Sequence, residues 1–599
     1  MKLPVQRALT RARKTVAVFG GIDRRPVIRE GEWRDMKNMT GERFPTASVR
    51  RKRGKVAVPG TGALTGLSSY SGAPVTTRGS SVTVGGVTVD MGLTSGLKDI
   101  VISGAFLFVF PDRKYLNLAT LSGTPETGSL DGETVIMSEE TEPERTDVRR
   151  ETLLYASPCD ETGAVMTFSR SVSTPQDPEN GAYWYDLGTK PGALKQYRAD
   201  TATWALCEPL VKLSFTGDPL GLPFAAGETV FVDFNVTRTQ GGTDGSLKSG
   251  YYRLEKVGES CFVIKAPFVN RLYDGFTVTL SRRIPQMDFV TEAGNRLWGC
   301  RHSTENGVTV NEIYASALGD FTAWNTFEGI STDSYAASVG TDGPFTGAAT
   351  FRGQPVFFKE RAIHRVMGAS PSTFRVVTAA APGAARFSHA SIAAVGSYLY
   401  YNSPDGVARY SGSSAEIVSR PLGEGFLGDA AGGEAADKYI VRLSGANPGI
   451  YVFDPARKTW HREDGASAVR FCRAGKETYF FGEGDEYLTS VGGTGTAEPA
   501  VPWSCETGEL SLGTVGRKFV SRLTVRMKME PLARASFFIE YDGVPEWVPA
   551  GTVSATRIGS FSLPIRLRRC DTFRLRAEGE GDCMIYSVTR TEKEGSERD

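Results

Sequence analysis

From Asp288 onward the chain keeps restarting one pattern, short apolar runs separated by tight turns, renewed about every 35 to 45 residues. The first unit carries Phe289-Val290, Leu297-Trp298 and Ile313-Tyr314, and it closes on Trp324. The next runs from Thr350-Phe351 through Val356-Phe357-Phe358 into residues 362–367. Residues 391–395, 398–401 and 407–410 follow, with a Pro404-Asp405-Gly406 turn between the last two runs. Residues 438–441 lead to 449–454 and Trp460, and residues 469–472 lead to 478–481. Each run is too short for a helix and is bounded by Gly, Asn or Asp, the residues that turns demand. One small sheet cannot bury both its faces alone, but stacking such sheets around an axis does so. The expectation is an all-β chain built on a β-propeller of six or seven blades.

The remaining segments divide by pattern. Residues 60–121 hold two weaker sets of runs and are assigned to the first propeller blades. Residues 122–283 change character: Glu139, Glu140, Glu142 and Glu144 form an acidic linker, and a β-rich run from Val211 to Leu280 follows. This reads as an inserted β domain whose chain enters and leaves at nearby points, where insertions are tolerated. The remaining blades occupy 284–498. In 499–591, Phe519, Ser521, Leu523, Val525, Met527 and Met529 alternate with Val520, Arg522, Thr524, Arg526 and Lys528. Leu563 and Ile565 alternate with Arg566 and Arg568, and Phe573 and Leu575 with Arg574 and Arg576. The prediction is a C-terminal β-sandwich with an outer face lined by Arg. Residues 592–599 read as a charged, frayed tail. Residues 1–59 read as a basic N-terminal arm plus a ring-closing strand, the alternating stretch 14–19 being a candidate to pair with the last blade. With 68 Gly and little 3.6-residue periodicity, tight turns dominate and helix is scarce.

The net charge of +1 hides an asymmetry, since residues 1–60 carry sixteen Lys and Arg against five Asp and Glu, and the remainder sums to −10. Uniform nucleic-acid binding is therefore a poor fit, while local basic contacts stay open. The eight Cys form no Cys-x-x-Cys pair and the four His are scattered, so neither a disulfide framework nor a zinc site is indicated, and free thiols in a reducing cytoplasm are the simplest account. No apolar run approaches a membrane span. There is no Gly-x-Ser-x-Gly, His-Glu-x-x-His or Walker loop. No catalytic residue, cofactor or metal is predicted, and the chain is not expected to be an enzyme.

Several short motifs point further. They include Phe19-Gly20-Gly21-Ile22-Asp23, Gly31-Glu32-Trp33, Asn38-Met39 and the Arg-rich stretch ending at Gly54. Asn295-Arg296-Leu297-Trp298-Gly299 with Ile313-Tyr314-Ala315-Ser316 and Asp320-Phe321, then Val356-Phe357-Phe358-Lys359-Glu360 and Asp405-Gly406-Val407, continue the series, and Cys505-Glu506-Thr507-Gly508 and Leu567-Arg568-Arg569-Cys570-Asp571 close it. Together they resemble the propeller-type tail proteins of bacteriophages, in particular the tail nozzle or packaged-DNA stabilisation proteins of short-tailed phages. The resemblance implies a structural virion component assembled in the host cytoplasm. Its subunits form a ring, usually a hexamer, that extends and closes the DNA channel. The partners implied are copies of the chain, adaptor or portal-side tail proteins, tail fibres or tailspikes, and, transiently, viral DNA, with no membrane insertion. The inserted domain and the sandwich depart from that pattern and leave nozzle, hub and tip open. Alternatives are a receptor- or glycan-binding tail propeller and a virion-associated glycosidase. Ser316 to Trp324 resembles the Asp-box turn of sialidase propellers, but Gly319 precedes Asp320 and the motif occurs once.

The predicted contact residues are all Arg. Arg11, Arg13, Arg50, Arg51 and Arg53 belong to a subunit-docking arm or to a DNA contact, and a conducting channel should avoid tight phosphate binding. Arg522, Arg526, Arg566, Arg568, Arg574 and Arg576 form either a solvated face or a dock for an acidic surface such as the Glu139 to Glu144 segment. His364 is expected to pack or bond locally. His302, Glu305, Glu312 and Asp320 gather around the aromatics of the first clear repeat, whose aromatics are expected to be packing.

Overall fold

The structure is a computed structural model that describes residues 11–132, 134–138, 153–190, 192–207, 210–216, 222, 224, 226–227, 229–240, 247–281, 283–305, 308–327, 329–423, 428–511, 517–531, 533–554, 556–565 and 568–594. It is all-β, and its helices among those residues are three single turns of 3-10 type, Leu118–Thr120, His389–Ser391 and Arg420–Leu422. No helix is long and apolar enough to cross a membrane.

Seven consecutive antiparallel sheets account for the repeats. The first is Leu64–Tyr70, Ala73–Arg78, Ser81–Val84 and Val87–Asp90, and the second is Asp99–Ser103, Phe106–Phe110, Lys114–Asn117 and Glu126–Ser129. The third is Phe289–Glu292, Leu297–Glu305, Val308–Ala315 and Tyr335–Ser338; the fourth opens with Gly347–Phe351, the fifth with Ala393–Val395 and the sixth with Ala430–Ala435. The seventh takes Ala468–Ala474, Glu477–Gly482 and Tyr487–Ser490 from its own stretch and Gly54–Ala57 from the N-terminal region. Opening strands pack on one another in chain order: that of the first sheet on the second, the second on the third, and the third on the fourth. The fourth meets the turn His389–Ser391 that leads into the fifth, the fifth meets the sixth, the sixth the seventh, and Ala468–Ala474 returns to Leu64–Tyr70.

An apolar cluster fills each junction, and the one between the fifth and sixth sheets is continuous with the C-terminal core. Val75 and Leu107 lie between the first two sheets, Phe108 and Trp324 between the second and third, and Trp298 and Phe357 between the third and fourth. Phe358 and Tyr401 follow, then Tyr400 and Tyr439, Ile440 and Phe480, and finally Phe481 and Leu67. Alternation explains the partition: neighbouring residues such as Phe357 and Phe358 point to opposite faces of one strand and so enter different clusters.

The inserted region has its own cores. Thr134–Ser138, Leu154–Cys159, Leu210–Phe215, Thr229–Gln240, Gly250–Gly258, Cys261–Lys265 and Arg271–Ser281 form one sheet in which Arg271–Ser281 pairs both with Leu154–Cys159 and with Thr229–Gln240, closing it on itself. Beside it, Phe168–Ser171, Tyr183–Asp186, Ala193–Arg198 and Thr203–Leu206 form a four-stranded sheet, anchored by Tyr185 stacking on Phe268. Thr134–Ser138 pairs antiparallel with Arg271–Ser281, so the region begins and ends side by side. Its start lies later than position 122, because Glu126–Ser129 is the outer strand of the second repeat sheet. That strand, Glu-Thr-Gly-Ser, has no apolar residue to announce it. The acidic segment 139–144 lies outside the described residues.

The C-terminal region forms two facing sheets, and the N-terminal region completes both. Lys518–Met529 lies between Cys583–Glu594 and Gly559–Leu563, and Arg11–Val16 and Ala47–Val49 pair with Cys583–Glu594. Opposite it, Phe573–Glu580 lies between Arg534–Tyr541 and Pro502–Thr507, with Trp33–Lys37 on the edge. Three expectations change here. The 14–19 stretch does not close the ring of sheets: its strand pairs with Cys583–Glu594, and Gly54–Ala57 pairs with the seventh sheet instead. Residues 592–594 are not frayed, since Glu592 is buried and accepts from Arg590 Nε at 2.5 Å. The predicted alternation of Lys518–Met529 fails at its start, because a bulge at Ser521 reverses the phase: Val520 is buried and Phe519 only half-buried, while Leu523, Val525, Met527 and Met529 point inward.

Candidate functional site

Four of the eleven predicted arginines, Arg50, Arg53, Arg574 and Arg576, prove to be committed to carboxylates within the chain. Arg50 and Arg53 are buried, and they join the N-terminal region to the sixth and seventh sheets. Arg50 donates to Asn38 Oδ1 at 2.8 Å, to Asp464 Oδ2 at 2.9 Å and to Glu498. Arg53 donates to both oxygens of Asp464, at 2.9 and 3.0 Å, and to Glu463, with its guanidinium 5.3 Å from the Phe480 ring centre. Burial would raise the Asp464 carboxyl, but the charges of Arg53 and Arg50 outweigh it and hold it below the usual carboxylate range. With those donors facing inward, Arg50 and Arg53 are structural staples rather than an exposed contact. Arg51 is exposed and 3.4 Å from Glu42, and Arg11 and Arg13 are exposed on the strand Arg11–Val16.

The C-terminal arginines do not form one face. Arg522 and Arg526 are exposed on Lys518–Met529, where Arg522 donates to the Ser562 hydroxyl at 2.7 Å. Arg574 and Arg576 lie on the facing sheet, on the side turned away from the shared core. Arg574 bonds Glu506 at 2.6 Å and the buried Glu540, Arg576 bonds Glu578 at 2.6 Å, and both guanidiniums lie over Trp547. Burial raises the Glu506 carboxyl despite Arg574. Arg568 sits over the Tyr541 ring, and Arg566 lies outside the described residues.

Of the side chains gathered by the third sheet, Glu312 bonds the Tyr314 hydroxyl, and Asp320 caps its own turn through Thr322 at 2.7 and 2.9 Å. The Glu305 side chain lies outside the described atoms, and the aromatics Trp298 and Trp324 are buried. His364 is fully buried between the Thr341 and Thr378 hydroxyls, each at 2.9 Å, and burial aided by Lys359 pushes it down to about 4. No cluster of three or more His, Cys, Asp or Glu able to hold a metal occurs among the described residues.

What the sequence did not single out is the place where all seven opening strands converge. A cavity of about 390 Å³ there is lined by Leu67, Ile100, Val290, Ala348, Ile392, Gly432 and Phe471, one from each sheet or the turn leading into it. It opens into a wider mouth of about 650 Å³. Asp99, His389 and Arg470 line both. Arg470 donates to Asp99 at 3.0 Å, and His389 Nε2 lies 3.2 Å from Arg470 and 3.4 Å from Asp99. Burial would raise the Asp99 carboxyl, but the bonds and charges of His389 and Arg470 prevail and hold it below the usual range. Around the rim, Asp429 pairs with Arg442 at 2.7 Å, and Asp288 accepts from the His302 backbone N–H at 2.7 Å. Phe387 stands at the same rim, 75% exposed, with φ of +63° and the Arg386 guanidinium 5.4 Å from its ring centre. These residues lie more than 300 positions apart in the chain, and only the ring of contacts brings them together.

No family model matches the chain, and no curated protein matches it. Among solved structures, an exo-β-1,3-galactanase from Phanerochaete chrysosporium aligns over 50% of this chain and 94% of its own, at 9% identity and a TM-score of 0.20. The extracellular domain of a hybrid two-component system from B. thetaiotaomicron aligns over 88% of this chain and 89% of its own, at 9% identity and a TM-score of 0.19. Similarity at this level carries no functional inference, and the chain's role has to be argued from its own residues.

Proposed function

We propose that the seven repeat sheets are the blades of a β-propeller and that the chain is a structural subunit of a bacteriophage tail, a ring component that extends and closes the DNA channel. The tail reading comes from the sequence resemblance. The observation that supports a structural role is the core shared by the two-layered C-terminal region and the fifth and sixth sheets, in which Trp33 and Met36 from one end of the chain, Tyr439 and Trp460 from the ring, and Phe537 and Leu575 from the other end all meet. Burying residues of this size at about 25 cal/mol per Å² fuses the two regions into one stiff block, a property suited to a wall under internal pressure. The converging cavity is far too small for a DNA duplex, so in this reading the DNA path runs between subunits. Exposed Arg11, Arg13, Arg51, Arg522, Arg526 and Arg568 are the contacts available for copies of the chain, for adaptor or portal-side proteins, and for fibres. No residue is assigned a catalytic role.

The test is assembly. Purified protein, alone or mixed with its tail partners, is expected to form rings, usually of six subunits, in negative-stain images. A persistently monomeric protein in the presence of those partners overturns the proposal. Labelling the subunit on intact particles separates nozzle from hub or tip.

A further inference from the structure

We infer that the mouth at the converging strands is a binding site for an uncharged saccharide, with Phe387 as the stacking platform. This inference does not depend on the tail reading and can fail without it.

Phe387 carries the inference first. A bulky aromatic at φ of +63° is a backbone outlier, and such conformations cost on the order of 1 kcal/mol or more and persist only where the surroundings dictate them. Here the surroundings do. The Ala385 N–H donates to Asn402 O at 2.9 Å, the Ser388 N–H to Ala385 O at 3.0 Å and the Ser391 N–H to Ser388 O at 2.9 Å. The Ser388 hydroxyl donates to Gly428 O at 3.1 Å, and Ser388, Ser391 and Asn402 are all buried. The turn is thus held rigidly, yet the side chain it presents is three-quarters exposed and gains little from packing within the chain. A strained, fixed aromatic facing a cavity is the arrangement of a ligand platform, with its orientation settled before the ligand arrives.

The charge of the mouth selects the ligand. Its lining holds three Asp, at 99, 288 and 429, and three Arg, at 386, 442 and 470, and two of the Arg are paired with Asp99 and Asp429. There is no unbalanced positive field to draw a phosphate or nucleic acid, and no unbalanced negative field to draw a cation. What the rim does offer is planar groups with fixed donors and acceptors beside an aromatic face. A pyranose matches that chemistry: its C–H face lies on the ring, and its vicinal hydroxyls give to carboxylate oxygens while accepting from guanidinium N–H groups.

The experiment uses the full chain on a printed array of neutral oligosaccharides of glucose, galactose, mannose and N-acetylglucosamine, with sialylated and phosphorylated counterparts alongside. Retained oligosaccharides are then titrated by calorimetry. Retention of at least one neutral oligosaccharide is expected, with Kd weakened at least fivefold by Phe387→Ala and restored by Phe387→Tyr. Phe327→Ala removes an aromatic exposed to 53% that does not line the mouth, and it should leave Kd unchanged. Because the Phe387 ring is exposed, the variant is expected to fold, and a matching thermal transition checks this. Retention of no neutral oligosaccharide, retention of anionic ones alone, or a loss below fivefold in folded Phe387→Ala overturns the inference.

Discussion

Two of the molecule's arginine–carboxylate clusters have similar chemistry in opposite settings. Arg50, Arg53, Glu463, Asp464 and Glu498 are packed where the N-terminal region crosses the sixth and seventh sheets, and the two Arg side chains are each only 6% exposed. Asp99, His389 and Arg470 sit at the converging strands, and the Asp99 side chain is 47% exposed. The first cluster fixes two regions of chain to each other, and its energy depends on every member keeping its partner. In the second only the Asp99 carboxylate is open to the mouth, while the Arg470 and His389 side chains that hold it are 13% and 30% exposed. Burial rather than residue type separates the staple from the site.

The largest effect expected of this contrast is in the sealed cluster. Arg53→Met takes from the buried Glu463 its close cationic partner and from Asp464 one of its two, and should destabilise the fold by about 3–5 kcal/mol in denaturant titrations. Equal costs for Arg53→Met and Arg470→Met would erase the distinction, because Arg470→Met leaves a carboxylate that water can still reach and is expected to cost only about 1–2 kcal/mol.

Next in size is acid sensitivity on the sealed side. His461 lines the same small cavity as Arg50 and Arg53, and burial, with help from Lys438 and Arg457 and against Asp454, pushes it down to about 4. His364 is pushed to the same value. A histidine with a lowered folded value binds its proton more readily when unfolded, so stability is full above about 6.5 and falls as pH drops from there toward 4. Each histidine should account for a loss on the order of 3 kcal/mol by pH 4. Unfolding curves across that range should flatten partly in His461→Gln and further in the double variant with His364→Gln. A slope unchanged by both substitutions would remove the acid-sensitive character of the interior.

A smaller effect of opposite sign belongs to the open mouth. Phe387→Gly releases the positive φ and should raise stability by roughly 1 kcal/mol, read as a higher Tm, while abolishing saccharide retention. Smallest of all, Arg526→Ala should change stability by less than about 0.5 kcal/mol and should be visible only as a change in ring assembly.

The repeats were legible because each strand pairs with its sequence neighbour and carries its apolar residues in runs or alternation. Phe357-Phe358 and Tyr400-Tyr401 announce strands buried on both sides, and the structure distributes each pair between two junctions. Where a strand lacks that signal, as in Glu126–Ser129, or pairs across hundreds of residues, as Arg11–Val16 does with Cys583–Glu594, local pattern gives no register. The bulge at Ser521 shows a third limit, since one inserted residue inverts the faces and no residue type marks it. The mouth was illegible for the same reason as the long pairings. Asp99 and Arg470 belong to different sheets and Phe387 to the turn that leads into a third, and the informative property of Phe387 is a backbone angle rather than an identity.

The strand Gly54–Ala57 has a consequence for how the molecule is made. Lys55 pairs with Thr489, so a growing chain must carry its early strand unmatched until the seventh sheet has emerged from the ribosome. From its emergence until the two strands pair, the protein has two open edges, the early strand and the bare side of Tyr487–Ser490, which fit each other whether or not they belong to the same molecule. Rapid closure within one chain yields a monomeric ring of sheets, and crowding of many chains on one message favours exchange between neighbours. Synthesis rate and local concentration thereby become determinants of the product, and a shortened N-terminus leaves a permanently sticky edge.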